Sequence, residues 1–260
     1  ISKSISLGES LIDIKSLAKN ANLSYIEEEV KDIDFNLKKI VLSNRPPVNY
    51  SKLVLNYGSQ TRIPREFETL VKNRNAFPIK PFLRAYDLIQ KEDIFDSVKE
   101  LPFVIVGSGL AAIEVSYALR KRWRSRSLKL LCDSKKINNK ILKSLRNSNI
   151  DLIENLNFDY GKILLCTGNK SPSWVQKKIL DSDSYGRMFT NQNLKLQSFS
   201  GIFAAGDCAV VDLSKRPASG VFAVKAVNTL VHNLKKDIEG RSLKKWFPQR
   251  FGLQIVNVFP

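Results

Sequence analysis

Gly107, Gly109 and Ala112 stand in the order G-x-G-x-x-A, between an apolar run at 103–106 and a segment of helical character at 111–122. Strand, glycine turn, helix is the context that a dinucleotide-binding turn requires. Gly107 makes the tight turn, Gly109 lets the backbone approach a pyrophosphate, and Ala112 is small enough for close packing of helix on strand. Ser108, Leu110 and Ala111 complete the turn, where the helix N-terminus offers free N–H groups and the positive end of its dipole. Taken alone, the motif also fits a purely structural glycine turn.

A dinucleotide held there would place its adenosine ribose at the end of the next strand, 128–132, where the chain reads Asp133-Ser134-Lys135-Lys136. Asp133 suits the 2′-hydroxyl of NAD, whereas Lys135 and Lys136 suit the 2′-phosphate of NADP. A solvated loop without any selective role fits these residues equally. Glu114 is expected on the first turn of the helix, where the dipole favours a carboxylate. It is the candidate catalytic side chain, a polar group near a nicotinamide ring, although helix chemistry alone would also place it there. Arg120, Lys121, Arg122, Arg124, Arg126 and Lys129 crowd the far end of the same helix and are expected to form a solvated basic face.

These groups must be positioned by a βαβ unit opening near Leu101, followed by a helix at 137–146 and strands at 150–153 and 162–166. Ahead of it, Leu11, Ile14, Leu17 and Ala18 recur at helical spacing, and 23–30 reads as a strand with Asp32 and Asp34 marking the turn. Strands at 39–42 and 52–55 flank the Pro46-Pro47 breaker, and the second runs into Asn56-Tyr57-Gly58-Ser59. The stretch 62–81 has no period and carries Pro64, Pro78 and Pro81, as a connection between two lobes would. A helix follows at 82–89. Later, 202–205 reads as a buried strand ending in Gly206-Asp207, and 220–236 as a helix.

Composition bounds the answer. The 260 residues are 43% apolar, 9% aromatic and 26% charged, enough to bury one large core or two modest ones. No apolar run approaches the roughly 20 residues of a spanning helix, and no signal peptide is visible. Cys132, Cys166 and Cys208 form no C-x-x-C pair, so they read as reduced structural thiols of a cytoplasmic protein and support neither a dithiol relay nor a metal site. The formal charge of +17 invites an anionic partner. Its cations are spread without interleaved aromatics, which argues against nucleic acid, while they would suit the inner face of an anionic membrane. His232 is given no role, and Trp123, Trp174 and Trp246 are read as packing residues.

The segment Gly201-Ile202-Phe203-Ala204-Ala205-Gly206-Asp207 resembles the second FAD motif of the pyridine nucleotide-disulfide oxidoreductases, which include type II NADH dehydrogenases. Leu53-Val54-Leu55-Asn56-Tyr57-Gly58-Ser59 resembles that family's first strand-Thr-Gly-Ser crossover. Leu165-Cys166-Thr167-Gly168-Asn169-Lys170-Ser171-Pro172 resembles its second, Ala-Thr-Gly-x-x-x-Pro. Asn56-Tyr57 stands where Ala-Thr is usual, and Cys166 where Ala is. The resemblance implies that Asp207 binds the ribityl chain of FAD, that Gly58, Ser59, Gly168 and Gly206 make close approaches to cofactor, and that Gly220 and Val221 open a helix directed at the flavin. A closer resemblance is to the oxidoreductase module fused to or associated with selenide, water dikinase, carried by residues 12–18, 78–83 and 216–224 with Asn233-Leu234.

What the resemblance implies is an α/β chain of two Rossmann-like dinucleotide-binding domains, an FAD domain with an NAD(P) domain inserted. The expected boundaries are 1–98 for the first part of the FAD domain, 99–195 for the NAD(P) domain, and 196–260 for the rest. The first FAD-binding βαβ unit and the region after Pro260 are absent from the sequence, as in a chain truncated at both ends. The implied activity is hydride transfer from NAD(P)H to FAD and on to a small-molecule acceptor, a quinone or another. The alternative is a non-catalytic nucleotide-binding module fused to or docked on a selenophosphate synthase domain.

Overall fold

The computed structural model describes residues 1–95, 101–176, 182–211 and 220–249. Its helices are α1 Leu7–Ser10, α2 Ile14–Asn20, α3 Arg65–Lys72, α4 Phe82–Lys91, α5 Leu110–Arg122, α6 Asn139–Asn147, α7 Ser173–Gln176 and α8 Gly220–Ile238. The strands are β1 Val30–Asp34, β2 Lys39–Leu42, β3 Val48–Asn49, β4 Leu53–Leu55, β5 Gln60–Thr61, β6 Ala76–Pro78 and β7 Phe103–Val106. They continue with β8 Leu128–Leu131, β9 Ile150–Ile153, β10 Ile163–Leu165, β11 Asn169–Lys170, β12 Met188–Thr190, β13 Ile202–Ala204 and β14 Ala209–Val211. These elements form two compact units, one from Ile1–Leu11 and Gln60–Asn169, the other from Ile12–Ser59 and the described residues of Lys170–Leu253.

The first unit is a parallel sheet in the order β6-β10-β7-β8-β9. Its central strand β7 is apolar throughout because helices cover both faces. Phe103 and Ile105 point into a core with Ala85 and Ile89 of α4, Ile113 and Leu119 of α5, and Leu142 and Leu145 of α6. Val104 and Val106 point the other way, against Phe67 of α3 and Leu165.

Residues 60–95, assigned from sequence to the first lobe, build α3, β6 and α4 into this sheet unit, so among the described residues the compact units divide at 11/12, 59/60 and 169/170. The expected featureless connection at 62–81 contains a helix and a strand, because its prolines stand at element ends. Pro64 is the N-cap of α3, Pro81 that of α4, and Pro78 ends the edge strand β6, where its missing N–H costs the ladder nothing. The basic face is also corrected. Arg122 and Arg126 are buried, paired with Asp93 at 2.6 Å and with Glu92 at 2.8 Å.

The second unit holds the antiparallel sheet β1-β2-β3 and two parallel pairs, β13 with β4 and β12 with β14. The first of its strands is Val30–Asp34, not 23–30, since Ile33 and Phe35 are the residues buried there. Asp34 starts the turn by accepting the N–H of Leu37 at 2.8 Å. Along α8, Asn233 is fully buried and its amide is spent on Asn193 O and on both backbone groups of Lys244. Asp237 joins Lys52 and Lys195, fixing the end of α8 to the β4 and Lys195 segments.

Candidate functional site

In the first unit the glycine turn lies at the carboxyl edge of the parallel sheet, the edge where open α/β sheets bind ligands. Gly107 donates its N–H to Leu131 O at 2.9 Å and has φ +144°. A Cβ on it would lie 2.4 Å from the carbonyl oxygen of Cys166 and 3.2 Å from the Cβ of Ala112. The end of β10 and the start of α5 therefore close on this residue, and only glycine fits. Gly109 is the N-cap of α5, no side chain caps that end, and a Cβ there would meet nothing within 4 Å. The helix thus starts uncapped beside open space at Gly109, an arrangement that fits an anion.

Ser108 accepts the N–H of Asp133 on its Oγ at 2.8 Å, so it ties the glycine turn to the loop after β8. The Asp133 carboxylate turns onto its own loop, accepting the N–H of Lys135 at 3.1 Å and pairing with Lys136 Nζ at 3.0 Å. The Lys136 hydrogen bond, with help from the Lys135 N–H, holds its pKa below the usual carboxylate value. Gly168, at φ +95°, accepts the N–H of Arg62 at 2.9 Å and is open on its Cβ side. Glu114 is half-buried and is the fifth residue of α5, so it sits beyond the first turn and gains nothing from the N-terminal amides. The expected dipole argument for it fails because the helix begins at Leu110.

In the second unit, Leu53–Leu55 and Ile202–Ala204 pair in parallel, and Ala205 donates to Leu55 O at 3.2 Å. Both chains then turn through glycines of positive φ, Gly58 at +71° and Gly206 at +78°. This brings Ser59 to Asp207, Oγ donating to Oδ2 at 3.1 Å. A Cβ on Gly206 would come within 3.3 Å of Asn56 Oδ1 and 3.7 Å of Ala223 Cβ, so the first turn of α8 flanks this turn. Gly220 opens that helix exposed to solvent and Val221 is half-buried. Gly58, Ser59, Gly206, Asp207 and the start of α8 thus gather at one strand edge, as Gly107, Ser108, Gly109, Asp133 and Gly168 do in the other unit.

Cys208 is buried behind Asp207, its thiol directed at the carbonyls of Ala205 and Leu55 at 3.1 and 3.3 Å and pushed up to about 12 by burial. Tyr57 packs edge-on against Trp174 at 5.3 Å, and burial raises its phenol pKa. Sequence reasoning missed the Ser108–Asp133 link and the place of Asn56 under Gly206. The second had a signal, the Asn-Tyr that stands where Ala-Thr is usual. Among the described residues no group of His, Cys, Asp and Glu could hold a metal ion, and no helix is long and apolar enough to cross a membrane.

No protein-family model matches the chain. Among curated proteins it is similar to ferroptosis suppressor protein 1 of Taeniopygia guttata, 24% identical over 86% of this chain and 66% of that protein. Among solved structures, NADH:rubredoxin oxidoreductase from Clostridium acetobutylicum superposes with a TM-score of 0.74 at 16% identity, over 99% of this chain and 67% of that one. Putidaredoxin reductase in its covalent complex with putidaredoxin gives 0.73 at 15%, over 94% and 65%. The fold is therefore mixed α/β with a Rossmann-type parallel sheet, matching that of these FAD- and NAD(P)-dependent oxidoreductases. The chain spans just under two thirds of the length of the curated relative.

Proposed function

We propose that the chain is an FAD-dependent NAD(P)H oxidoreductase, with the first unit holding the nicotinamide dinucleotide and the second holding FAD. What carries this reading is the pairing of two glycine turns at parallel-strand edges, one uncapped and open at Gly109, the other presenting Asp207 held by Ser59. When bound, the nicotinamide supplies a hydride and the flavin takes it up and passes electrons on.

The protein's part is binding and orientation. The amides of Leu110 and Ala111 would hold the pyrophosphate, with Gly168 leaving its neighbouring strand end open. Asp207, aligned by Ser59, would accept hydrogen bonds from ribityl hydroxyls, and Gly58 and Gly206 would keep the backbone close. Gly220 and Val221 begin the helix whose positive end favours a reduced, anionic ring. Glu114 remains the candidate polar group for the nicotinamide side. The proposed acceptor is a quinone or a redox protein; the likeness to NADH:rubredoxin oxidoreductase and to a putidaredoxin reductase complex supports the second. With a formal charge of +17, peripheral attachment to anionic lipid belongs to the same proposal.

The test is the visible spectrum of the purified protein before and after anaerobic NADH and then NADPH. Flavin bands that bleach support the reading. A colourless protein that takes up no added FAD overturns it and favours the alternative of a module docked on a selenophosphate-making kinase domain. That alternative rests on residues 12–18, 78–83 and 216–224 with Asn233-Leu234, of which 216–219 lie outside the described residues.

A further inference from the structure

One polar side chain at the edge proposed for FAD has no task within the fold. Asn56 follows β4 directly, and the alternation of the strand buries Leu55 while leaving Val54 and Asn56 exposed. Its amide lies against the Gly206 turn: a Cβ on Gly206 would stand 3.3 Å from Asn56 Oδ1, 3.6 Å from its Nδ2 and 3.7 Å from Ala223 Cβ in the first turn of α8. The bare Cα of Gly206 thus gives the amide its seat, one residue before the Asp207 whose carboxylate Ser59 holds at 3.1 Å. Among the described residues neither end of that amide has a hydrogen-bond partner.

Resting on the FAD-binding role proposed for this unit, we infer that Asn56 is a further cofactor-binding residue, its amide taking a ribityl hydroxyl alongside the Asp207 carboxylate. An amide both donates and accepts, as a hydroxyl does. The edge formed by Asn56, Gly58, Ser59, Gly206, Asp207 and Gly220–Ala223 carries one carboxylate and no cation, so its side chains suit the hydroxyls of the cofactor better than its phosphates. While the edge is open, water satisfies the amide at no cost. A cofactor lying there removes that water, and an amide covered without a partner loses affinity. Alanine, usual at this place in the family that the motif resembles, leaves nothing polar to satisfy. Asparagine makes the position either a ligand or a penalty, and an amide with both ends unspent fits a ligand.

Fluorescence titration of the apoprotein with FAD, together with thermal melting of the apoprotein, tests this. Asn56→Ala should weaken FAD binding about three- to tenfold, the range of one hydrogen bond between neutral groups, and leave the Tm unchanged. Asn56→Leu, which keeps the bulk against Gly206 without the amide, should bind FAD no better than the alanine variant. Asn56→Asp, which keeps an acceptor for a hydroxyl, should fall between the native protein and Asn56→Ala. Native affinity in either apolar variant, or a lowered Tm in Asn56→Ala, overturns the inference, because the amide would then only pack or hold the turn. An Asn56→Asp protein weaker than Asn56→Ala puts the amide against phosphate and overturns the hydroxyl assignment. A native chain that takes up no FAD overturns the flavin reading of the unit, and this inference with it.

Discussion

Ser59 and Asp207 are joined side chain to side chain at 3.1 Å although 148 positions separate them. The link exists because β4 and β13 run in parallel and end together. It makes Ser59 an orienting group for the Asp207 carboxylate. Asp207→Ala should weaken FAD binding by roughly ten- to a hundredfold, the worth of about 1.5–3 kcal/mol for hydrogen bonds to a charged group. Ser59→Ala should cost less, since Asp207 is kept but freed to rotate. Fluorescence titration of apoprotein with FAD measures both, and an Asp207→Ala protein that holds FAD as tightly as the native one would remove Asp207 from the site.

The two glycines of the nucleotide turn should fail in different ways. Gly107→Ala forces a Cβ to 2.4 Å from the Cys166 carbonyl at a φ of +144°, so it should lower stability by at least about 1–3 kcal/mol through overpacking. Gly109→Ala meets nothing within 4 Å and has ordinary φ, −90°, so thermal melting should leave Tm unchanged. Its methyl group projects into the open space at the uncapped start of α5, and nucleotide affinity should drop. Equal Tm losses for the two variants would show that the gap above Gly109 is not open.

How far the sequence reveals this arrangement depends on the range of the interactions. The β7–turn–α5 segment is legible because apolar run, glycine spacing and helix period are all local. Prolines misled at 62–81, since a proline at an element boundary and a proline in a loop look alike until the caps of α3 and α4 are seen. The strand at Val30–Asp34 was hidden by its acids, Asp32 and Asp34, which read as a turn. Arg122 looked solvated because the carboxylate that buries it, Asp93, lies 29 positions away. Ser108 and Asp133 are each visible as candidates, and only the fold shows that one holds the other.

The three cysteines are free and buried. Burial pushes Cys166 and Cys208 up to about 12, and burial together with Asp133 and Glu154 raises Cys132. The thiolate is the reactive form, so a native sample at pH 8 should give almost no fast reaction with a disulfide reagent such as Ellman's, and three thiols per chain once denaturant is added. Any electron transfer by the folded chain should survive replacement of all three by Ser or Ala, because none is poised to form a dithiol relay. A rapidly titrating thiol in the native protein would contradict the burial.

Asp93 binds the end of α5 to the N-terminal segment. Arg122 donates to it twice, at 2.6 and 2.7 Å, Trp123 Nε1 once at 2.8 Å, and Lys3 pairs with it at 2.8 Å. Burial alone would raise its pKa, but the hydrogen bonds from Arg122, Lys3 and Trp123 outweigh burial and hold it well below the ordinary carboxylate range. A carboxyl whose folded pKa lies below its unfolded value of about 4 binds its proton first in the unfolded chain. Its stabilisation is therefore complete above about pH 4 and drains away as pH falls further. Asp93→Asn leaves the Arg122 guanidinium, fully buried, without its counter-charge, and should cost about 3–5 kcal/mol at pH 7. Urea unfolding at pH 7, 4 and 3 should show the gap between native and Asp93→Asn proteins narrowing as the pH drops. A gap that stays constant across that range would mean that Asp93 titrates at its ordinary value and that the four donors do not act on it together.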